Sequence, residues 1–513
     1  MSIARSAFIV TTFSLFALGL GFLSNIVIAM KFGARTDMDI FLSATTLPLF
    51  ITSILSSALN FTFIPVFYEY RVDRPAEAWE VVSSFINLSL IVSVLICIAG
   101  MVLARPITRV LSPGFTLEQV AQSANLLRWL LPVIVFSVLN ELMASVYYSD
   151  NRFFIPSLNK VVNPIITIFY VFLFHESLST KSLVFAMFTT AFLQAAILAT
   201  GFLKRSDYHY SFSFNFKHPG VRKILKLMGP LVLGMLVYRA TPVFDRYFLS
   251  LLPEGSISHV GYAMKLIGVI SGVIVTGISV SIFPVMAKYA AEDKIHELKC
   301  IISKGLRMVF FLCLPVAIFF GIFGKSVLKI IFERGAFTAN DTLFVYNAFA
   351  LYSIALPAMV MGTVLGQGFY VLKDTRTTTL IGIAEMVFYI CFCFILLQFL
   401  GYLVIPIALA LQFNLGVLLV GLILRYKLGN KGGTTILSSM TKHIIAALAP
   451  LSVVVIFFGS IMSDSNTNLI IILICFITYL LISRFVFATH ESVNIFDKMT
   501  NVFKKRGEFW QQQ

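Results

Sequence analysis

Fourteen apolar stretches of 18 residues or more leave this chain few folds to adopt. They run 8–30, 39–67, 81–104, 126–148, 155–174, 182–203, 225–251, 257–287, 307–324, 342–371, 378–399, 402–424, 438–462 and 468–488. A helix of about 20 apolar residues crosses the hydrocarbon core of a bilayer, and in lipid each backbone N–H and C=O must be satisfied within protein. The alternating ten-residue strands of a membrane barrel are absent, so the spans are read as helices. Composition agrees. Of the 513 residues, 58% are hydrophobic and 12% charged, against roughly 25% charged in soluble domains. Mean hydropathy is +0.91. The expected class is an all-α polytopic membrane protein. The first run is too long and too rich in glycine for the core of a cleavable signal, and no A-x-A site follows, so it is expected to remain as span one.

Charge assigns the sides. Dense basic clusters follow even-numbered spans: Lys204, Arg205, Lys217, Arg222, Lys223 and Lys226 after span six, then Lys288, Lys294, Lys299, Lys304 and Arg307 after span eight. Arg425, Lys427, Lys431 and Lys442 follow span twelve, and the tail carries Lys498, Lys504, Lys505 and Arg506. Loops after spans seven, eleven and thirteen hold no Lys or Arg. The positive-inside rule then puts both termini in the cytoplasm. The net charge of +15 is a topology signal with a secondary attraction to anionic membrane lipids; it calls for no nucleic-acid partner. Of the six cysteines, Cys97, Cys313, Cys391, Cys393 and Cys475 lie in apolar runs and Cys300 in a basic loop, so all read as packing residues.

The two halves echo each other. FIPVFYEY (63–70) answers IFPVMAKY (282–289), SPGFTLEQ (112–119) answers RGAFTAND (334–341), and YYSDNRFFIPS (147–157) answers FYVLKDTRTTT (369–379). The offsets are 284 − 65 = 219, 337 − 115 = 222 and 374 − 150 = 224. Six spans fit within one offset, an even number, so the copies share an orientation. Two six-helix lobes related by a parallel repeat are expected, plus two C-terminal helices with no copy. The boundaries are 1–205 for the N-lobe, 206–224 for a cytoplasmic linker, 225–430 for the C-lobe, 431–490 for spans thirteen and fourteen and 491–513 for a cytoplasmic tail. In such folds a substrate sits between lobes near the midplane and the lobes rock around it. The stretch from Ser112 to Arg128 reads as an interfacial segment before span four, with Thr116 and Thr338 as helix N-caps.

Ionisable groups inside spans are Asp39, Glu141, Lys160, Arg239, Asp245, Arg246, Lys265 and Glu385. Each costs at least about 2.5–3.5 kcal/mol at the bilayer centre and must face protein or water. Lys160 and Arg246 can also snorkel to an interface. Span seven is densest, reading YRATPVFDRYF (238–248). Arg239 and Arg246 are seven apart, which places them on one helix face, and Pro242 between them favours a bend. With Lys265 they form a candidate site for a phosphate head group, which suits the guanidinium fork. Pairing of Asp245 with Arg246 or Lys265 is the competing reading. Asp39, Asp245, Glu141 and Glu385 are candidates for gating or for coupling to Na⁺ or H⁺. Asp39 opens span two, where a helix dipole favours an acid; a contact across lobes is the alternative. There is no Walker A loop and no H-E-x-x-H. The extracytoplasmic loops are too short for a catalytic domain. No catalytic residue, metal ligand or cofactor is assigned, and the chain reads as a transporter rather than an enzyme.

FGARTDMDIFLSATTLPLF (32–50) followed by FIPVFYEY resembles the first two spans of the MurJ/MviN family of lipid II flippases, within the multidrug/oligosaccharidyl-lipid/polysaccharide exporter superfamily. LSPGF (111–115), N-R-F-x-x-P (151–156), LMGP (227–230) and RGAFTAND extend the resemblance over roughly 1–430. It implies fourteen helices and a polyprenyl-pyrophosphate-linked saccharide as substrate, in the inner membrane of a bacterium. It also implies that Asp39 matches a family acid near a gate and that Lys265 stands in for an arginine of span eight. The family's arginines of spans one and two are replaced by Leu18, Ser24, Thr52 and Ser53, an acid by Asn25 and a glutamate by Gly268. The expected activity is flipping of lipid II or of a polysaccharide repeat unit by alternating access, by a monomer. Arg239, Arg246 and Lys265 would hold the pyrophosphate. The alternative is a cation-coupled exporter of drugs or metabolites on the same fold, with a cavity of acids and aromatics in place of a cation cluster.

Overall fold

The computed structural model describes residues 3–203, 210, 214–429, 434–458 and 465–487. The tail 491–513, part of the linker 206–224 and the start of 431–490 lie outside them. The helices are α1 (Ile3–Phe32), α2 (Thr36–Asp73), α3 (Pro75–Val102), α4 (Ala104–Leu111), α5 (Leu117–Leu130), α6 (Pro132–Ser149), α7 (Phe154–Asn159), α8 (Val162–Leu178) and α9 (Lys181–Leu203). After the linker come α10 (Pro219–Tyr238), α11 (Thr241–Ser250), α12 (Ser256–Ala291), α13 (Ile295–Phe332), α14 (Ala339–Val371), α15 (Thr375–Leu400), α16 (Val404–Lys427), α17 (Thr434–Phe458) and α18 (Ser465–Leu481). All regular structure among the described residues is helical.

Thirteen stretches of the described residues are long and apolar enough to cross a membrane. One of them, Thr375–Lys427, is 53 residues long and contains both α15 and α16, divided at a 3₁₀ turn over Gly401–Leu403. Counted separately, these give fourteen crossings. The protein is a multi-pass membrane protein.

Proline sets the internal breaks. Three spans are each two helices: α5–α6, α7–α8 and α10–α11. Pro132 and Pro242 stand in the first turn of α6 and α11, where a missing N–H leaves nothing unpaired. The segment read as interfacial, α5, runs on through Leu131 into α6 as one helical stretch, Leu117–Ser149. Thr116 caps α5 in a reciprocal capping box with Gln119. Thr338 and Asp341 exchange the equivalent bonds at the start of α14.

Helix boundaries repeat along the chain. α2 starts at 36 and α12 at 256, α3 at 75 and α13 at 295, α5 at 117 and α14 at 339, α9 at 181 and α16 at 404. The separations are 220, 220, 222 and 223 residues, the same interval that the motifs show.

Packing groups the chain into two compact units. The first is Met1–Lys265, Arg334–Asp341 and Gly382–Ile405. There α2 packs on α5, α6 and α10, and α9 packs on α6 and α8. The second is Leu266–Glu333, Thr342–Ile381 and Pro406–Gln513. Its aromatic core, with Phe311, Phe319, Phe323, Cys475 and Tyr479, joins α13 to α17 and α18. Polar ties at depth are paired: Tyr479 donates to the Phe311 carbonyl at 2.9 Å and Asn468 to Ser326 at 2.8 Å.

Two tests follow from this packing. A Cβ on Gly114, in the LSPGF stretch, would stand 1.9 Å from the Ser250 carbonyl oxygen, whereas one on Gly19 would meet nothing within 4 Å. Gly114→Ala should lower the thermal midpoint in detergent by several degrees, consistent with about 1–3 kcal/mol of overpacking, and Gly19→Ala should leave it unchanged. In the second unit, a hydrogen bond from Lys427 holds the Asp374 carboxyl down at about 2, helped by bonds from Thr377. A depressed acid contributes stability that is complete above its unfolded value of about 3.9 and lost as pH falls through the folded one. Asp374→Asn should flatten the loss of thermal stability between about pH 4 and pH 2.

Candidate functional site

All seven candidate residues fall in the first compact unit, where the structure sorts them into three groups. Asp39 belongs to the first. Gly33 turns the chain between α1 and α2 with φ +62, a backbone that suits glycine, and brings Asp39 into the first turn of α2. Its carboxylate is 4% exposed. It accepts from the Gly255 N–H at 2.7 Å, the Ser258 N–H at 2.8 Å and the Ser258 hydroxyl. Those amides belong to the start of α12, where helical N–H groups have no partner in their own helix. Asp39 thus caps α12 from another helix while lying at the positive end of its own. Both readings of this acid, dipole and contact between repeats, describe the same atom.

Neighbouring bonds close the region. Met30 O accepts from Ala336 N at 2.7 Å, Gly33 O from the Tyr262 hydroxyl at 3.0 Å, and Glu254 from Thr36 at 2.6 Å and Gln119 at 3.2 Å. His259 Nε2 and Asp341 Oδ1 are 2.9 Å apart. The turns after α1, after α11 and before α14 therefore form one latch.

The second group surrounds the break in span seven. α10 ends at Tyr238 and α11 begins at Thr241. The residue before a proline is steered away from helix and Pro242 donates no bond. Arg239 caps α10, whereas Arg246 lies in α11, which corrects the expectation of one continuous face. Arg239 is exposed and donates to Ser57 of α2 at 3.2 Å. Arg246 lies close to both Asp245 and Lys265, an attraction and a repulsion. Asp245 accepts a hydrogen bond from the Tyr389 hydroxyl of α15, and the Lys265 ammonium stands 5.6 Å from the Tyr262 ring centroid. Arg246, Asp245 and Lys265 are thus together and Arg239 is turned to α2. Glu385, half-buried one turn before Tyr389, has no polar partner among the described residues.

The third group surrounds Glu141 on α6. Ser56 and Asn60 of α2 hydrogen-bond its carboxylate and Lys160 lies beside it. Residues 53, 56, 57 and 60 are Ser, Ser, Ser and Asn, spaced to share one face of α2. This stripe serves both Arg239 and Glu141. Reasoning from single charges missed it, along with Tyr389 and Ser258. Its signal was a polar i, i+3, i+4, i+7 pattern inside an apolar run.

Removing Asp39 leaves two buried amides and a hydroxyl without their acceptor. Hydrogen bonds to a charged group are worth about 1.5–3 kcal/mol each. Asp39→Ala should raise maleimide labelling of a cysteine placed at Ser256 by at least about tenfold in purified protein. Unchanged labelling would show that Asp39 does not hold this end shut.

Comparison with known proteins now bears on the whole arrangement. The sequence profile of the lipid II flippase MurJ family matches residues 28–477. A probable lipid II flippase MurJ of Buchnera aphidicola subsp. Schizaphis graminum is 29% identical over 392 residues, 75% of this chain and 76% of the relative. The lipid II flippase MurJ of Burkholderia cenocepacia is 24% identical over 449 residues, covering 84% and 85%. Among solved structures, lipid II flippase MurJ in an inward closed conformation superposes with a TM-score of 0.81 at 21% identity, over 93% of this chain and 98% of that one. An inward-facing multidrug resistance MATE transporter of the MOP superfamily gives 0.67 at 16% identity, over 82% and 98%. These likenesses show a shared fold. With 450 consecutive residues matched by its profile, the chain belongs to the lipid II flippase MurJ family.

Proposed function

We propose that this protein moves a polyprenyl-pyrophosphate-linked saccharide, lipid II in the first instance, across the cytoplasmic membrane of a bacterium by alternating access. Family membership over residues 28–477 carries the reading. The six-span repeat supports a rocking mechanism of lobes 1–205 and 225–430, and the loop charges support cytoplasmic termini. The work is transport of an intact lipid by a monomer, with no covalent step.

The cations near the span-seven break take the pyrophosphate. Arg246 and Lys265 repel each other in a poorly screened setting and the nearby Asp245 is engaged by Tyr389. A doubly charged head group relieves that repulsion and gives guanidinium and ammonium groups their preferred partner. Arg239 reaches the same ligand from the α10 terminus, having only an exposed serine contact to give up. The Asp39 latch closes one end of the path. Coupling draws on Na⁺, H⁺ or the membrane potential acting on the embedded acids Asp245, Glu141 and Glu385.

Purified protein in liposomes should flip fluorescent lipid II, with a polysaccharide unit on the same polyprenyl pyrophosphate run in parallel. Arg239→Ala and Lys265→Ala should each slow flipping about tenfold or more, the worth of one charged hydrogen bond, while Lys265→Arg retains most of it. If neither lipid moves and a cationic dye is exported instead, the reading is overturned in favour of a drug exporter.

A further inference from the structure

A polar cavity of about 60 Å³ lies between α6, the break from α7 to α8, and α9, room for a few water-sized species. Its lining includes Asn140, Glu141, Tyr148, Asn159, Lys160 and Gln194. Span five is interrupted here. α7 ends at Asn159 and α8 resumes at Val162, with Pro164 two residues on unable to bond back across the gap. Irregular backbone at membrane depth persists only where protein or a wet cavity satisfies it. The Asn159 carbonyl is taken by Gln194 Nε2 at 3.0 Å.

The side chains leave one acceptor over. Asn159 Nδ2 donates to Asn140 Oδ1 at 2.8 Å and to the Gln194 carbonyl at 3.1 Å. Those two bonds fix which amide atom is oxygen. Asn159 is 4% exposed, and its Oδ1 has no hydrogen-bond partner. A buried carboxamide oxygen without a donor is costly to fold around. Glu141 lines the same cavity. Lys160, the cationic neighbour of Glu141, is exposed, and the hydrogen bond of its ammonium among the described residues is a long 3.5 Å contact to Ser14, at the limit of a hydrogen bond.

We propose that this cavity is a sodium site, in which a sodium ion and the Lys160 ammonium exchange on Glu141. The ligands are hard oxygens, Asn159 Oδ1 and the Glu141 carboxylate with Asn140 Oδ1 adjacent, a set that suits hard cations over softer metals. Broken spans that offer carbonyl groups to small cations are a recurring device of secondary transporters. Lys160 neutralises Glu141 when the ion is away. Sodium entry frees that ammonium for the aqueous path, where an anionic head group can meet it. The ion-binding half stands on this geometry alone, and the link to cargo rests on the transport reading above.

The test is thermal unfolding of the purified full-length protein in detergent, titrated with sodium chloride against choline chloride at equal ionic strength and without lipid substrate. Sodium should raise the midpoint by a few degrees over choline, as expected of a ligand that binds only the folded state. Asn159→Ala and Glu141→Gln should abolish the difference. Lys160→Met removes the competitor from an exposed position and should lower the sodium concentration for half-effect about tenfold. That variant keeps the proposal testable should Asn159→Ala fail to fold. Equal responses to sodium and choline, or a weakened sodium response in Lys160→Met, would overturn the site. Lipid II flipping is measured separately: a sodium response without flipping overturns the transport reading alone, and flipping without a sodium response overturns the site alone.

Discussion

A carboxylate buried between two helix N-termini organises one end of this molecule. Asp39 lies in the first turn of α2 and accepts three hydrogen bonds from the first turn of α12. An isolated charge in that place would be expensive to bury. Two positive helix ends and three donors make it stable, and the same three bonds tie the start of α2 to the start of α12. The left-handed turn at Gly33, the Thr36–Glu254 bond and the His259–Asp341 contact all lie around this anchor.

Much of the fold was legible because lipid simplifies the problem. A span must be apolar and helical, so length and hydropathy alone located the crossings. The repeat interval was legible in three short motifs and reappears in the helix boundaries. Other features were hidden. Where a proline terminates a helix rather than bending it depends on what its neighbours pack against, so Arg239 and Arg246 were read on one face although α10 stops at Tyr238 and α11 starts at Thr241. The partners of Asp39, Asp245 and Glu141 lie 219, 144 and 85 residues away at Ser258, Tyr389 and Ser56. Such pairings are set by tertiary packing, which no local pattern encodes. Lys160, read as able to snorkel, is exposed and also lies beside the half-buried Glu141.

The polar stripe of α2 gives these groups a common support. One serine of the pair 56–57 bonds Glu141 and the other meets Arg239. The hydroxyls of Ser53 and Ser57 give their protons to carbonyls of their own helix. They therefore need no partner when the charged groups move. A stripe of this kind tolerates both a bonded and a released arginine, unlike a carboxylate, which would fix it in one place.

The cap on α12 has a consequence in terms of water. Because Gly255 and Ser258 take their acceptor from another helix, separating that end exposes two amides, a hydroxyl and a charged carboxylate at once. Nothing in their own helices replaces the lost bonds. Only solvent can, so separating this end requires wetting it. Any separation of these groups is then a hydration equilibrium, answering to the activity of water as much as to any ligand.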